Sequence, residues 1–354
     1  MHKSLAASTI LEHELSEFRL LVERQTGLVL DSPNNALAAH LADFIEEQEL
    51  DSSITLLERL RAPEQDPSTL PALLDGLISA NTGFFRHPGA LNALTRQVLP
   101  QLWARKSVDG PGPIRIWSAG CATGEETYSI AMAVCDAVNP ANVSVPNNGA
   151  GPGAANGKNA RNGGIAENLP AGQPVPKLGS GCSIHIVGSD LLPRNIEAAD
   201  RGVYRLSALE GLPPATIRNY FSKIGAPTAT AAMNFEAELE GDAPNASQPP
   251  SITPHLLVKP RLRSLVTFNC MNLARPGYIG RFDCIFCMDV LPHFSRVQRM
   301  AVLERLHLYL EPGGYLFLSQ TEKLAASNLN FRSETFDGYT FHRKPLAASA
   351  AYGR

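Results

Sequence analysis

Apolar residues recur with helical spacing in the first eighty positions. Four of them stand three or four residues apart and therefore share one face of a helix: Leu11, Leu15, Phe18 and Val22. Gly27 is expected to end that helix, and Ser32 followed by Pro33 to begin a second one. Shorter apolar sets follow around positions 54–60 and 73–78. The pattern predicts a helical N-terminal domain over residues 1–80, with its apolar stripes packed into a core.

Beyond position 110 the pattern changes to short, nearly continuous apolar runs. Five such runs are typical of buried strands and cover residues 114–117, 184–187, 265–268, 282–287 and 315–318. Helical patterns separate several of them, including one directly before the last run. Strands that alternate with helices favour an α/β fold with a parallel sheet, which we place within residues 81–346.

Two segments interrupt this alternation. Residues 139–181 contain nine Gly, eight Asn, six Pro and seven Ala and no aromatic residue, so they offer little to pack. We predict that this segment is a flexible insertion that the fold does not require. The second interruption, roughly 224–254, is rich in Ala, Pro and Asn and predicts a long loop beside a small β element.

Composition narrows the class of protein. Apolar residues make up 44% of the 354 positions and the formal net charge is −3, which disfavours a broadly basic nucleic-acid binder. No apolar run reaches the ~18 residues of a membrane span, and charges interrupt the N-terminus where a signal peptide would be apolar. Six cysteines in so long a chain suggest reduced thiols and a cytoplasmic location.

The candidate chemistry lies where the predicted strands end. The first strand runs into the loop SAGCATGEE, residues 118–126, whose small residues let the backbone approach a ligand closely. Glu125 and Glu126 would repel a pyrophosphate, so a cationic or hydroxyl-rich ligand fits better, although such a loop is also a common tight turn. Asp190 ends the second strand, where an acid either accepts hydrogen bonds from ribose hydroxyls or caps a helix.

Other chemical motifs are weak. Cys284 and Cys287 have the C-x-x-C spacing of metal ligands, but three positions apart on a strand they point to opposite faces, which favours buried thiols. His87 and His293 are isolated histidines with no Ser-His-Asp pattern. No metal site is therefore expected.

Six motifs occur in a recognisable order along the chain. They are NTGFFR (81–86), TGEETYS (123–129), GSD (188–190), RGVYRL (201–206), FNCMNL (268–273) and FDCIFCMDVLPHF (282–294). Together they resemble the CheR-type chemoreceptor glutamate O-methyltransferases, over nearly the whole chain. The resemblance implies a class I S-adenosylmethionine (SAM)-dependent methyltransferase sheet, Rossmann-like, with a helical N-terminal domain and a small inserted β-subdomain at about 204–265.

The same resemblance implies a set of site residues. Thr82 and Arg86 would contact the methionine end of SAM, and Glu125 or Glu126 would line the cofactor loop. Asp190 would hold the ribose or adenine side. Further contacts fall on two pairs of neighbours, which are Asn272 and Leu273 beside the adenine, and Met288 and Asp289 where the family usually carries Arg-Asn. Arg86 is the side chain we expect to position a carboxylate.

The resemblance also implies the reaction and the partner. SAM would be converted to S-adenosylhomocysteine (SAH) as a glutamate carboxylate of the cytoplasmic part of a chemoreceptor-like protein becomes a methyl ester. We expect a monomer without nucleic-acid partner or membrane insertion. Two alternatives remain: a SAM- or SAH-binding regulatory or scaffold protein with reduced activity, favoured by Met288-Asp289, and a methyltransferase for another protein, favoured by the acidic N-terminal segment. Residues 1–60 hold four Lys/Arg and eleven Asp/Glu.

Overall fold

The computed structural model describes residues 10–78, 82–109, 112–138, 183–224, 255–277, 280–322, 324 and 329–346. The insertion expected at 139–181 lies outside the described residues, as does nearly all of the loop expected at 224–254. Asn81 of the NTGFFR motif lies outside them too.

Helices and short strands alternate along the described chain. The helices are α1 (Glu12–Thr26), α2 (Asn34–Glu47), α3 (Ser53–Arg61), α4 (Thr69–Leu77), α5 (Pro88–Ala93), α6 (Leu99–Asp109), α7 (Glu125–Val138), α8 (Pro193–Arg201), α9 (Pro214–Tyr220), α10 (Pro260–Arg263) and α11 (Arg296–Tyr309). A π-helical turn, Leu94–Val98, joins α5 to α6. The strands are β1 (Ile114–Ala119), β2 (Ile184–Asp190), β3 (Val203–Arg205), β4 (Phe221–Lys223), β5 (His255–Val258), β6 (Val266–Cys270), β7 (Phe282–Cys287), β8 (Leu310–Leu318), β9 (Arg332–Phe336) and β10 (Tyr339–Arg343).

Seven strands form the main sheet, in the order β6-β2-β1-β7-β8-β10-β9. The first five are parallel to one another, whereas β10 runs antiparallel to both β8 and β9. All five strands predicted from the apolar runs are therefore confirmed. The strand order reverses between β1 and β7, and in such sheets ligands bind in the crevice outside the carboxyl ends at that point.

The last predicted strand begins earlier than expected. The sequence predicted the strand over 315–318, after Pro312-Gly313-Gly314, which has the composition of a turn. In the structure β8 already starts at Leu310, directly after α11. Its register against β7 shifts between Phe282 and Cys284, and Gly313 has a φ of +75°. The segment is therefore an irregularity within β8, which explains why the Gly-rich sequence suggested a turn.

Two apolar cores cover the faces of the main sheet. Cys284 is buried in one core and Cys287 in the other, as their spacing on β7 predicted. Within the described ranges, no cluster of three or more His, Cys, Asp or Glu side chains is arranged to hold a metal ion. A smaller antiparallel sheet, β3-β5-β4, packs beside the first core through Tyr204, whose ring meets that of Phe84 edge-on.

Helices α1–α4 enclose a third apolar core. Gly27 ends α1 in the left-handed conformation, as predicted, whereas Leu11 lies at the N-cap and is 52% exposed, outside the buried stripe. The second helix begins at Asn34 with Pro33 in the cap position, so Ser32 does not cap it as expected. Leu192, which precedes α8, joins this third core and ties the helical unit to the sheet domain.

None of the helices in the described residues combines the length and the apolar character needed to cross a membrane.

Candidate functional site

A cavity of about 490 Å³ opens beyond the carboxyl ends of β1, β2, β6 and β7. It lies at the point where the strand order reverses, which is where the sequence placed the ligand crevice. Residues 26–32, between α1 and α2, form one wall together with Leu77 and Ile78. The N-terminal helical unit therefore completes the cavity rather than standing apart from it.

This wall is held by hydrogen bonds to the sheet domain. The Val29 amide donates to the carbonyl oxygen of His293 over 2.8 Å. Asn272 Nδ2 donates to the Gln25 carbonyl oxygen over 3.1 Å, and Asn272 Oδ1 accepts from the Ala274 amide over 2.8 Å. Both polar atoms of the Asn272 side chain thus have partners within the protein.

The loop after β1 turns sharply into α7. Gly120 has a φ of +83° and Gly124 a φ of +97°, and Ala122 between them also has a positive φ. A Cβ atom on Gly120 would come within 2.4 Å of Val290 Cγ2, so only glycine fits against the loop that follows β7. The small residues of SAGCATGEE are therefore required by backbone geometry and by this close approach.

Asp190, at the end of β2, fixes this loop from the neighbouring strand. Its Oδ2 accepts from the Ala122 amide over 3.0 Å. Its Oδ1 accepts from the Leu192 amide over 3.0 Å and from Asn195 Nδ2 over 2.9 Å. The carboxylate lines the cavity. Asp190 does not cap α8, whose N-cap is Leu192 without a side-chain cap hydrogen bond, so of the two interpretations only the place at the cavity remains, as a prediction.

The two glutamates of the loop have different surroundings. Glu125 does not line the cavity; its carboxylate accepts from Thr123 Oγ1 over 2.7 Å and from Thr82 Oγ1 over 3.2 Å. Burial raises the pKa of Glu125, partly offset by its hydrogen bond from Thr123. Glu125 thus holds Thr82, which does line the cavity, from behind.

Glu126 faces the cavity from a partly buried position. Its Oε1 accepts from Ser118 Oγ over 2.7 Å. The pKa of Glu126 is raised to about 7, chiefly by burial and also by the negative charges of Asp289 and Glu322, while the hydrogen bond from Ser118 and the charge of Arg86 act in the opposite direction. Glu126 is therefore an acid whose charge depends on what else occupies the cavity.

Arg86, His87 and Asp289 meet beyond the end of β7, which is two strands away from β2 and Asp190 in the sheet. Asp289 Oδ2 lies 3.3 Å from an Arg86 terminal nitrogen and 3.0 Å from His87 Nε2. Asp289 has a φ of +58°, as Phe85 does with +52°, so the residues on both sides of this contact adopt the left-handed backbone. The Phe85 amide donates to Ser129 Oγ over 2.9 Å, which anchors the turn that presents Arg86.

The remaining expected residues also border the cavity. Leu273 lines it on the side of β6, and Met288 on the side of β7, where it is 6% exposed. The structure therefore brings eight of the nine expected residues to one cavity and places Glu125 behind it.

Sequence reasoning missed two polar contributors. His87 was treated as an isolated histidine, although it directly follows the FFR motif and reaches Asp289 from there. Glu322 accepts from the amides of Ser319, Asp289 and Leu291 over 2.9–3.3 Å and so fixes the loop after β7. No local pattern indicates Glu322, because it lies 33 residues beyond Asp289 in the chain.

The donor set suits SAM. Such a ligand carries ribose hydroxyls, which need acceptors such as Asp190, and a cationic sulfonium, which carboxylates such as Glu126 and Asp289 attract. Its amino-acid end carries a carboxylate, which Arg86 is suited to hold in a fixed plane. Fold and cavity together define a class I SAM-dependent methyltransferase.

Comparison with known proteins shows which family the chain resembles. Residues 80–145 and 245–339 match the family model described as CheR methyltransferase, SAM binding domain. The chain is 29% identical over 310 residues to chemotaxis protein methyltransferase 1 of Pseudomonas aeruginosa, covering 87% of this chain and 89% of that one. It is 28% identical over 323 residues to a chemotaxis protein methyltransferase of Vibrio parahaemolyticus, covering 90% and 92%. The SAM-binding part of the chain therefore matches the CheR methyltransferase family, and most of the chain is similar to chemotaxis protein methyltransferases.

The structural similarity to solved structures is weaker than the sequence similarity to these relatives. The plantazolicin methyltransferase BpumL in complex with SAH overlaps with a TM-score of 0.29 at 11% identity, covering 87% of this chain and 58% of that one. Because that score is low, the fold class rests on the strand order and the family match rather than on this overlap.

Proposed function

We propose that this protein transfers the methyl group of SAM to glutamate side chains of chemoreceptor-like signalling proteins and leaves a methyl ester. The relatives named as chemotaxis protein methyltransferases support the choice of partner. The observation that carries the proposal is the placement of Arg86 and His87, two side chains with nitrogen donors, beside Asp289 beyond the end of β7, two strands away from Asp190 at the end of β2. A carboxylate entering there would find donors suited to it.

The acceptor itself needs little activation. A glutamate side chain has an unperturbed pKa of about 4.3, so near pH 7 it is already a nucleophile and no general base is required. SAM, when bound, supplies a methyl group on a positively charged sulfur. The protein's part is to hold the carboxylate in line with that methyl group and to exclude water.

Each cavity residue then has a proposed role. Asp190 would accept hydrogen bonds from the ribose, with Leu273 and the main chain of Asn272 beside the adenine. Glu126 would offset the cationic centre, and Thr82, supported by Glu125, would face the amino-acid end. Arg86 would hold a carboxylate, either that of the amino-acid end or that of the acceptor. Met288 would form an apolar wall beside the reacting atoms, where it limits the access of water.

The direct test uses SAM carrying a labelled methyl group and a purified receptor signalling domain. We expect label in the receptor domain that mild base releases as methanol, since glutamyl esters hydrolyse readily. Arg86→Ala should lower the transfer rate at least tenfold, whereas Arg296→Ala, at the exposed start of α11, should leave it unchanged. Base-stable label would show N- or C-methylation and contradict the carboxylate acceptor.

A second candidate function is favoured by the contact between Asp289 and Arg86. An internal carboxylate on that guanidinium competes with an external one, as expected of a SAM-responsive binding protein with little turnover. Tight SAM and SAH binding without label transfer to any receptor domain would favour this candidate. Transfer to a protein of another class, after incubation with a cell extract, would favour a different substrate.

A further inference from the structure

His87 and Arg86 compete for the same oxygen atom. Asp289 Oδ2 lies 3.0 Å from His87 Nε2 and 3.3 Å from the Arg86 terminal nitrogen, so the imidazole is the nearer of the two partners. His87 and Asp289 are partly buried at the cavity wall, with 26% and 32% of their side chains exposed, whereas Arg86 is exposed, with 39%. In such a setting the distribution of one carboxylate between two donors decides how strongly each donor can bind anything else.

Asp289 is held where it can reach both partners. Its backbone takes the left-handed conformation, and its amide donates to Glu322 Oε2 over 3.3 Å. Glu322 also accepts from the Ser319 amide over 2.9 Å and from the Leu291 amide over 3.0 Å. The backbone of Asp289 is therefore held at the wall, which keeps its carboxylate within reach of Arg86 when His87 is removed.

We propose that His87 is a positioning residue: by binding Asp289, it prevents Asp289 from occupying the Arg86 guanidinium fully, so that Arg86 can still bind the carboxylate of a ligand. With His87 present, Asp289 divides its interaction between the imidazole and the guanidinium. Without His87, Asp289 binds Arg86 alone, and the guanidinium loses its capacity to hold the carboxylate of a ligand. This inference rests on the proposed role of Arg86 in carboxylate binding.

The inference predicts that the effect of His87→Ala depends on whether Asp289 is present. His87→Ala should weaken SAH binding, or raise the KM for the acceptor, by about tenfold, the size expected for a hydrogen bond to a charged group. Asp289→Asn removes the charge that captures Arg86. In that background His87→Ala should have less than about a twofold effect on either quantity. His87→Gln keeps a donor at the same place and should behave like the parent protein.

The experiment measures SAH affinity by calorimetry and acceptor KM and kcat by label transfer, for the parent, both single variants, the double variant and His87→Gln. His13→Ala is the matched control, because His13 is an exposed histidine on α1. Melting temperatures of all variants verify that they fold. A His87→Ala defect that Asp289→Asn suppresses supports the inference. A defect of equal size in both backgrounds, or none in the parent, overturns it. Because SAH titration needs no acceptor, a parent protein that binds SAH but forms base-stable label would contradict only the proposed ester.

Discussion

Ser118 at the end of β1 donates its hydroxyl hydrogen bond to Glu126 in the first turn of α7, over 2.7 Å. The bond spans the loop that the SAGCATGEE sequence forms, and it holds a partly buried acid with its carboxyl group toward the cavity. Because the pKa of Glu126 is raised to about 7, chiefly by burial, its charge changes within the physiological range. A cation bound beside it would favour the ionised form.

We therefore expect SAM and SAH to differ in their pH dependence. SAM carries a sulfonium charge that stabilises ionised Glu126, so its binding should release a proton and tighten as the pH rises from about 6 to 8. SAH lacks that charge and should respond less. Calorimetry in buffers of different ionisation enthalpy measures the protons released. In Glu126→Gln the difference between the two ligands should disappear; its persistence would assign the titration to another group.

Glu126 also predicts the pH dependence of stability without ligand. Its pKa in the folded protein is raised from 4.5 to about 7, so the folded state is relatively favoured below pH 4.5, where both states hold the proton. This contribution is lost as the pH rises to about 7. Urea unfolding of the parent and of Glu126→Gln should show a smaller decline over this interval in the variant. Parallel curves would contradict an elevated pKa.

Replacement of Asp190 tests its proposed hydrogen bonds with the ribose of SAM. Asp190→Ala removes the acceptor of the Ala122 and Leu192 amides, and we expect SAM and SAH binding to weaken by roughly 1–3 kcal/mol. Glu197→Ala, on the exposed face of α8, is the control and should bind normally. Unchanged affinity in Asp190→Ala would remove this residue from the site.

Arg86 can be tested with two ligands that differ at one end. SAH carries the amino-acid carboxylate, whereas methylthioadenosine has the same nucleoside without it. If Arg86 holds that carboxylate, Arg86→Ala should weaken SAH binding by about 1.5–3 kcal/mol and leave methylthioadenosine binding unchanged. An equal loss for both ligands would indicate a collapse of the cavity wall. No loss for either would assign Arg86 to the acceptor.

Gly120 offers a test of the loop geometry. Gly120→Ala combines a left-handed backbone with a clash against Val290, and we expect it to destabilise the protein by more than the ~1–2 kcal/mol of backbone strain alone. Gly211→Ala is the matched control, because Gly211 also has a positive φ but no atom lies near its added Cβ. Val290→Ala should relieve the extra cost in the double variant. Equal losses at both glycines would show that the clash relaxes.

The sequence predicted the elements of the fold better than the contacts of the site. Each apolar run coincided with a strand, because burial on both faces leaves a local signature. Asp190 reached the cavity because it ends a strand of the sheet, whereas Thr82, between α4 and α5, was expected only from the motif that resembles the family. The start of β8 was misjudged, because Pro312-Gly313-Gly314 has the composition of a turn and its place in the strand depends on pairing with β7.

Contacts between distant segments left no such signature. The pairing of His87 with Asp289 joins residues about two hundred positions apart, and Glu322 reaches back to three amides of other residues. Asp289, which stands where the family usually carries Asn, has two nitrogen partners in the structure, Arg86 and His87. The cavity wall at residues 26–32 was missed as well, because nothing in its composition distinguishes it from an ordinary connection between helices.

That wall has a consequence for how such proteins diversify. It lies outside the segments that match the family model, yet it is bonded through Gln25 and Val29 to residues that follow β6 and β7. The loop at residues 118–126 and the cavity wall at residues 26–32 can therefore change independently of each other in evolution. A chimera that exchanges residues 10–78 between relatives would combine the sheet domain of one protein with the cavity wall of the other. It requires that Asn272 can still donate a hydrogen bond to a main-chain carbonyl oxygen at position 25.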